Sequence, residues 1–313
     1  MSDKLLKLLF EKKDTRAVVL HLDSAWEEMM KNQNLPTAVK ELLGKMCAGA
    51  IMLAAGLKFN GALVLQLQGD GPVKLAIVEV RTGLVVRATA QLRVAAETIP
   101  EVISFKDLVN VNGRGRCAVI LDAADRRVGE QPYQGVVVLE DSGVEATLEN
   151  YMTHSEQLET RLWLAANNTA CGGVLLQRIP KEGGIHEDVV VTEEEATSKE
   201  EDGFKSITLF AETVKADEIL TLDADTLSQR LFWEDNPRVL GGAVPVFRCR
   251  CSKEGIEAMV KNLGEKTAKE IVSERGSIEV KCEFCGKSYK LDAIDVATLF
   301  ENGTTKSASS EKH

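Results

Sequence analysis

Along the first 180 residues, apolar and polar positions alternate mostly with the period of a strand. Arg16-Ala-Val-Val-Leu-His-Leu22 reads as a strand. Pro36 stands where a helix can begin, and the run behind it extends that helix to about Leu57. Its alanines and glycines suit tight packing against a sheet. Gly61 to Gln68 alternates as a strand, Gly69-Asp-Gly-Pro72 supplies turn chemistry, and Val73 to Val80 forms the next strand. Leu84 to Leu92 adds a third, with Cys117 to Leu121 and Gly135 to Leu139 as further strands. Val144 to Gln157 carries a helical period, and strand character resumes at Thr160 to Ala166 and Gly173 to Ile179. Strands that run in groups, with few regular alternations with helices, predict an α+β fold over a doubly wound parallel sheet.

The pattern changes after Pro180. From Lys181 to Gly203 there are nine acidic residues against two lysines and few large apolar groups, the signature of a solvated linker. Phe204 to Trp233 then recovers apolar residues at helical spacing, including Leu227 and Leu231, before Asn236-Pro237 and Gly241-Gly242 break the period. This stretch is too small to be a domain and must dock on something. The expected organisation is an N-terminal mixed α/β core domain over residues 1–180 and an acidic, then amphipathic helical linker over 181–245. A small C-terminal zinc-binding domain follows over 246–302, with a disordered tail over 303–313.

Composition narrows the function classes. The chain has 313 residues, 44% of them hydrophobic, ample for at least one sizeable core. A formal charge of -10 argues against a protein built to neutralise phosphates. The longest apolar stretch, Met46 to Leu57, spans twelve residues, too short to cross a bilayer. Seven cysteines without a leader-like N-terminus point to a reducing cytoplasm.

Four of those cysteines carry the chemistry. Cys249-x-Cys251 and Cys282-x-x-Cys285 are two close pairs separated by about thirty residues, a metal-ligand pattern. Four thiolates make a closed tetrahedral zinc site with no open position for catalysis. No histidine lies near the quartet, since His186 and His313 are remote in sequence. Domains as short as this one usually need a metal, a disulfide or a partner. Structural zinc supplies about 10–16 kcal/mol that is coupled to folding, so removing it is expected to unfold the module. The same sulfurs are reactive as thiolates. A disulfide between Cys249 and Cys251 closes a very small ring, and strained disulfides are the labile, regulatory ones. Oxidation of either pair removes two of the four ligands, so the site can convert oxidant into local unfolding.

The quartet, its spacing and its place near the C-terminus resemble the heat shock protein 33 family of redox-regulated chaperones. Other stretches agree: Leu65-Gln-Leu-Gln-Gly-Asp-Gly-Pro72, Pro132-Tyr-Gln-Gly135, Leu148-Glu-Asn-Tyr151 through Ser155-Glu-Gln157, and Gly172-Gly-Val-Leu-Leu-Gln-Arg178. The resemblance covers nearly the whole chain, with the acidic stretch matching only loosely. It implies an ATP-independent holdase, not an enzyme, whose reduced form is inactive with Zn2+ on Cys249, Cys251, Cys282 and Cys285. It further implies that oxidants form Cys249–Cys251 and Cys282–Cys285 disulfides and that zinc then leaves. The zinc module and linker lose structure, client-binding surface appears, and the active protein forms a homodimer. Unfolding proteins are the implied clients, passed later to ATP-dependent foldases.

Two other functions fit single features. A zinc ribbon that binds nucleic acid is one, but residues 246–313 carry twelve basic and eleven acidic side chains and show no basic footprint. A thiol oxidoreductase using Cys282-x-x-Cys285 is the other, and it calls for a helix N-terminus after a strand in a βαβ pattern. The remaining motifs read as structural. Cys47 is a small buried hydrophobe of the Ala-rich helix, and Cys117 and Cys171 sit beside strands. His21 and His154 have no triad partners. Asn112-Gly-Arg-Gly-Arg116 lacks the lysine and spacing of a phosphate loop and reads as a turn. The acidic run Glu193 to Glu195 belongs to the solvated linker.

Overall fold

The computed structural model describes residues 3–57, 60–127, 129–179 and 203–301. The acidic stretch up to residue 202, with His186 and Glu193 to Glu195, and the terminal residues from 302 onward lie outside them. The chain divides into two compact units, Met1–Arg248 and Cys249–His313.

The first unit is built on two sheets. One has five antiparallel strands: β1 (Lys4–Phe10), β2 (Thr15–Leu22), β8 (Thr160–Ala166), β9 (Cys171–Arg178) and β10 (Arg238–Ala243). Their order is β10-β1-β2-β9-β8. The other has β3 (Gly61–Gln68), β4 (Val73–Arg81), β5 (Val85–Leu92), β6 (Arg116–Ala123), β7 (Tyr133–Val138) and β11 (Val246–Phe247), in the order β11-β5-β4-β3-β6-β7. Every pairing in both sheets is antiparallel except β11 on β5. The α+β expectation therefore holds. The short helix α1 (Ser24–Met30) leads from β2 into the long helix that follows, α3 (Phe105–Val109) lies between β5 and β6, and α4 (Val144–His154) packs on β7 and β8.

Helix α2 (Thr37–Gly56) packs against strands of both sheets. Fourteen of its twenty residues are buried, so it is apolar nearly all round, as a helix enclosed in a core must be. Its small residues set the approach distance. A Cβ on Gly44 would stand 2.5 Å from the Ala166 Cβ on β8.

Strand β2 shows why its sequence is continuously apolar instead of alternating. Val18, Leu20 and Leu22 face the cluster around α2, while Ala17 and Val19 face a second cluster. That second cluster is supplied by the amphipathic segment. Residues 203–211 form α5, followed by α6 (Ala216–Thr221) and α7 (Ala224–Phe232). Phe204, Ile207, Ile219, Leu227, Leu231 and Phe232 cover Leu8 and Phe10 of β1, Val19 of β2, and Leu176 of β9. Asp223 caps α7 by accepting the Thr226 N–H at 2.9 Å. The segment read as linker thus packs as a layer on the first sheet. The expected break at Gly241-Gly242 is instead strand β10, where an irregularity between Lys7 and Leu8 leaves Leu240 without a paired residue.

The second unit contains α8 (Lys253–Leu263), α9 (Glu265–Arg275), the hairpin β12 (Ile278–Lys281) and β13 (Ser288–Leu291), and α10 (Ala293–Glu301). Its buried core is six residues: Val260, Ala268, Ile278, Leu291, Val296 and Leu299. So small a core calls for a further constraint. Among the described residues, no helix is long and apolar enough to cross a membrane.

Candidate metal centre

Local chemistry places all four C-terminal cysteines on tight backbone. Cys249 and Cys251 lie just ahead of α8, whose N-cap Ser252 accepts the Gly255 N–H at 3.1 Å. Cys282 and Cys285 occupy the turn between β12 and β13. The Cys282 N–H donates to the Lys287 carbonyl at 2.9 Å, and the Gly286 N–H donates to the Cys282 carbonyl at 2.8 Å. Gly286 has φ of 68°, a left-handed conformation that favours glycine. The Cys-x-x-Cys pair is therefore in a hairpin turn, not at a helix N-terminus after a strand. That geometry does not suit a thioredoxin-like oxidoreductase.

The four sulfurs converge. All lie within 4.8 Å of one another. The Cys249 and Cys282 sulfurs are 3.6 Å apart, and those of Cys251 and Cys285 are 3.4 Å apart. Zinc–sulfur bonds of about 2.3 Å in a tetrahedron put neighbouring sulfurs about 3.8 Å apart. These contacts cross between the two sequence pairs, as a tetrahedron requires. All four side chains are half-buried.

Electrostatics gives the same answer. Burial pushes the Cys249 thiol up, and hydrogen bonds to neighbouring thiols add to the rise. Burial and neighbouring sulfurs hold Cys285 well above the usual thiol range. Burial also acts against the Cys251 thiolate, but the Tyr289 hydroxyl and adjacent thiols outweigh it and hold that thiol down to about 7. Without a cation, then, one negative charge forms readily and its neighbours resist. A dication at the centre removes that conflict, so the donor set fits a thiophilic metal ion.

Tyr289 was not visible as part of this site in the sequence. Its hydroxyl donates to the Cys251 sulfur at 3.2 Å. The signal lay in β13, where burial alternates so that Tyr289 and Leu291 turn inward.

The comparisons with known proteins follow this geometry. A family described as "Hsp33 protein" matches residues 3–292. The chain belongs to the Hsp33 family. It is similar to the 33 kDa chaperonin of Methylobacillus flagellatus, 35% identical over 301 residues, 96% of this chain and 95% of the relative. It is likewise similar to the 33 kDa chaperonin of Chromobacterium violaceum, 35% identical over 311 residues, 99% of this chain and 98% of the relative. The crystal structure of the 33 kDa chaperonin (heat shock protein 33 homologue) of Thermotoga maritima covers 97% of this chain and 100% of its own. It superposes with a TM-score of 0.74 at 18% identity, which establishes a shared Hsp33 fold.

The other candidates take structural places. Cys47, Cys117 and Cys171 are buried, and burial pushes their thiols up, Cys117 to about 12. They do not supply thiolate near neutral pH. Buried His21 bonds the Ile219 carbonyl through Nδ1 at 3.1 Å and so ties α6 to the first sheet. His154 Nδ1 lies 3.0 Å from the Asn150 carbonyl within α4. The Asn112 and Arg114 N–H groups donate to the Asp70 carboxylate, which makes the glycine–arginine stretch a pinned turn.

Proposed function

We propose that this protein is a redox-regulated, ATP-independent holdase, inactive while its four C-terminal thiolates hold Zn2+ and activated when they are oxidised. The observation that carries the reading is the convergence of Cys249, Cys251, Cys282 and Cys285 within 4.8 Å in a chain of the Hsp33 family. When bound, the ion supplies a tetrahedral anchor that keeps four thiolates deprotonated and ties the ends of a six-residue core together.

The residues then act as follows. A hydroperoxide takes two electrons from one thiolate, its O–O bond breaks, and a sulfenic acid forms as hydroxide or alkoxide leaves. The paired thiolate attacks that sulfur, expels hydroxide and closes a disulfide. The products are Cys249–Cys251 and Cys282–Cys285, each bringing together sulfurs that already lie within 4.8 Å. A disulfide sulfur is a poor ligand, so the set no longer holds the ion, and the small second unit loses its constraint. The layer α5 to α7 and the adjoining strand β10 are the surface that then opens. Trp233, Val239 and Leu240 are already exposed apolar groups beside it. Unfolding proteins are the clients, the active form is a homodimer, and refolding falls to ATP-dependent foldases after reduction. Seven free thiols suit a cytoplasmic location.

The test is aggregation of a thermally unfolding client, followed by light scattering. Peroxide-treated protein is expected to suppress it and reduced protein to leave it unchanged. Suppression by the reduced form alone would reverse the assignment.

A further inference from the structure

Among the described residues, Tyr289 brings a side-chain donor to this quartet. The Cys249 and Cys282 sulfurs lie against each other at 3.6 Å. The Cys251 sulfur accepts the Tyr289 hydroxyl at 3.2 Å. Tyr289 is 9% exposed and stands opposite Val280 across the β12–β13 hairpin, so its ring is fixed by packing and strand register. Lys287, in the turn just before the same strand, places its Nζ 5.2 Å from the centre of the Tyr289 ring. A cation over a phenol face draws density from the ring and makes its hydroxyl a stronger donor.

We propose that Tyr289, polarised by Lys287, is a positioning residue that orients the Cys251 sulfur and restrains its oxidation. The inference rests on the quartet being a metal and redox site. The hydroxyl engages one lone pair of the sulfur and withdraws density from it, and a sulfur with density withdrawn is a weaker nucleophile. In the oxidation, Cys251 Sγ gives two electrons to hydrogen peroxide, forming Cys251 sulfenic acid as the O–O bond breaks and hydroxide leaves. Cys249 thiolate then attacks that sulfur and expels a second hydroxide. Tyr289 takes no part in either bond change. It sets how available the Cys251 lone pair is for the first.

The test uses the full chain, reduced and loaded with cobalt in place of zinc, as wild type, Tyr289→Phe and Lys287→Met. The phenylalanine keeps the ring in the hairpin and deletes only the hydroxyl. Loss of one hydrogen bond of ordinary strength predicts Cys251 oxidation by hydrogen peroxide about fivefold to tenfold faster in Tyr289→Phe, read by alkylation and mass spectrometry. The thiolate-to-cobalt absorption is expected to move to lower energy as the sulfur becomes more electron-rich. Lys287→Met is expected to move both readouts the same way by less. Unchanged rate and absorption in Tyr289→Phe would overturn the role of Tyr289, and wild-type behaviour of Lys287→Met would overturn the polarising step. A wild-type chain that binds no cobalt overturns the metal-site reading itself, a failure distinct from either.

Discussion

Phe232 is the side chain on which docking of the amphipathic layer most depends. It is 1% exposed, and its ring meets Phe10 of β1 edge-to-face at 5.2 Å and 77°. Replacing it with alanine removes a buried ring from a cluster shared between the helices of the layer and β1, β2 and β9, whose strand-borne members are held by pairing and cannot collapse into the gap. Such truncations cost about 3–5 kcal/mol, of which the aromatic pair accounts for about 1 kcal/mol. Each 1.36 kcal/mol is about tenfold. The balance between docked and undocked layer should therefore shift by about two to four orders of magnitude. The neighbouring Trp233 is 69% exposed, so Trp233→Ala is the control, with an expected change within about 0.5 kcal/mol. Hydrogen exchange in the reduced protein reads both. Phe232→Ala should lose protection across 203–232 and suppress client aggregation without oxidant, whereas Trp233→Ala should do neither. Equal protection in the two variants would refute the claim that this layer is held by its contacts with the first sheet.

Further predictions concern stability. Glu79 is 7% exposed and binds Arg81 Nε at 2.5 Å and Arg87 Nε at 2.8 Å. Glu79→Ala should cost about 3–5 kcal/mol by removing the buried carboxylate that two arginines share, visible as a lower urea midpoint. A Cβ on Gly173 would stand 2.4 Å from the Trp163 carbonyl oxygen on the paired strand. Gly173→Ala should therefore lose about 3 kcal/mol in the same assay. In α8, a Cβ on Gly255 meets only Ser252 Oγ, at 3.5 Å, so Gly255→Ala should be neutral or stabilising by about 0.5–1 kcal/mol. Chelating the metal under reducing conditions should abolish the circular-dichroism signal of α8 to α10 and lower hydrogen-exchange protection of α5 to α7.

Much of the core was legible because its strands obey simple rules. Gly61–Gln68 and Thr160–Ala166 have the expected bounds, and α2 ends within one residue of its expected limits. What the sequence hid are elements whose signal needs a neighbour. Strand β1 carries Lys4 and Lys7 among leucines and becomes a strand by pairing with β2 and β10. Strand β10 runs through two glycines that read as a break, and only the edge of β1 makes it extended. The Phe204–Trp233 pattern announced an apolar face but not the sheet it covers. At the candidate metal centre, the four cysteines stood out by their paired spacing, and the structure brings their sulfurs within 4.8 Å of one another. Tyr289 did not stand out, because a donor to sulfur has no fixed sequence offset and is revealed by strand register.

The central claim is that dismantling the thiol quartet turns on client binding. The direct measurement is one peroxide time course on the reduced, zinc-loaded protein. Metal released is read with a chromogenic chelator, and client aggregation is read in matched samples. The account predicts that about one equivalent of zinc appears and that suppression rises with it. Full suppression with the metal still bound, or complete release with no suppression, would contradict it.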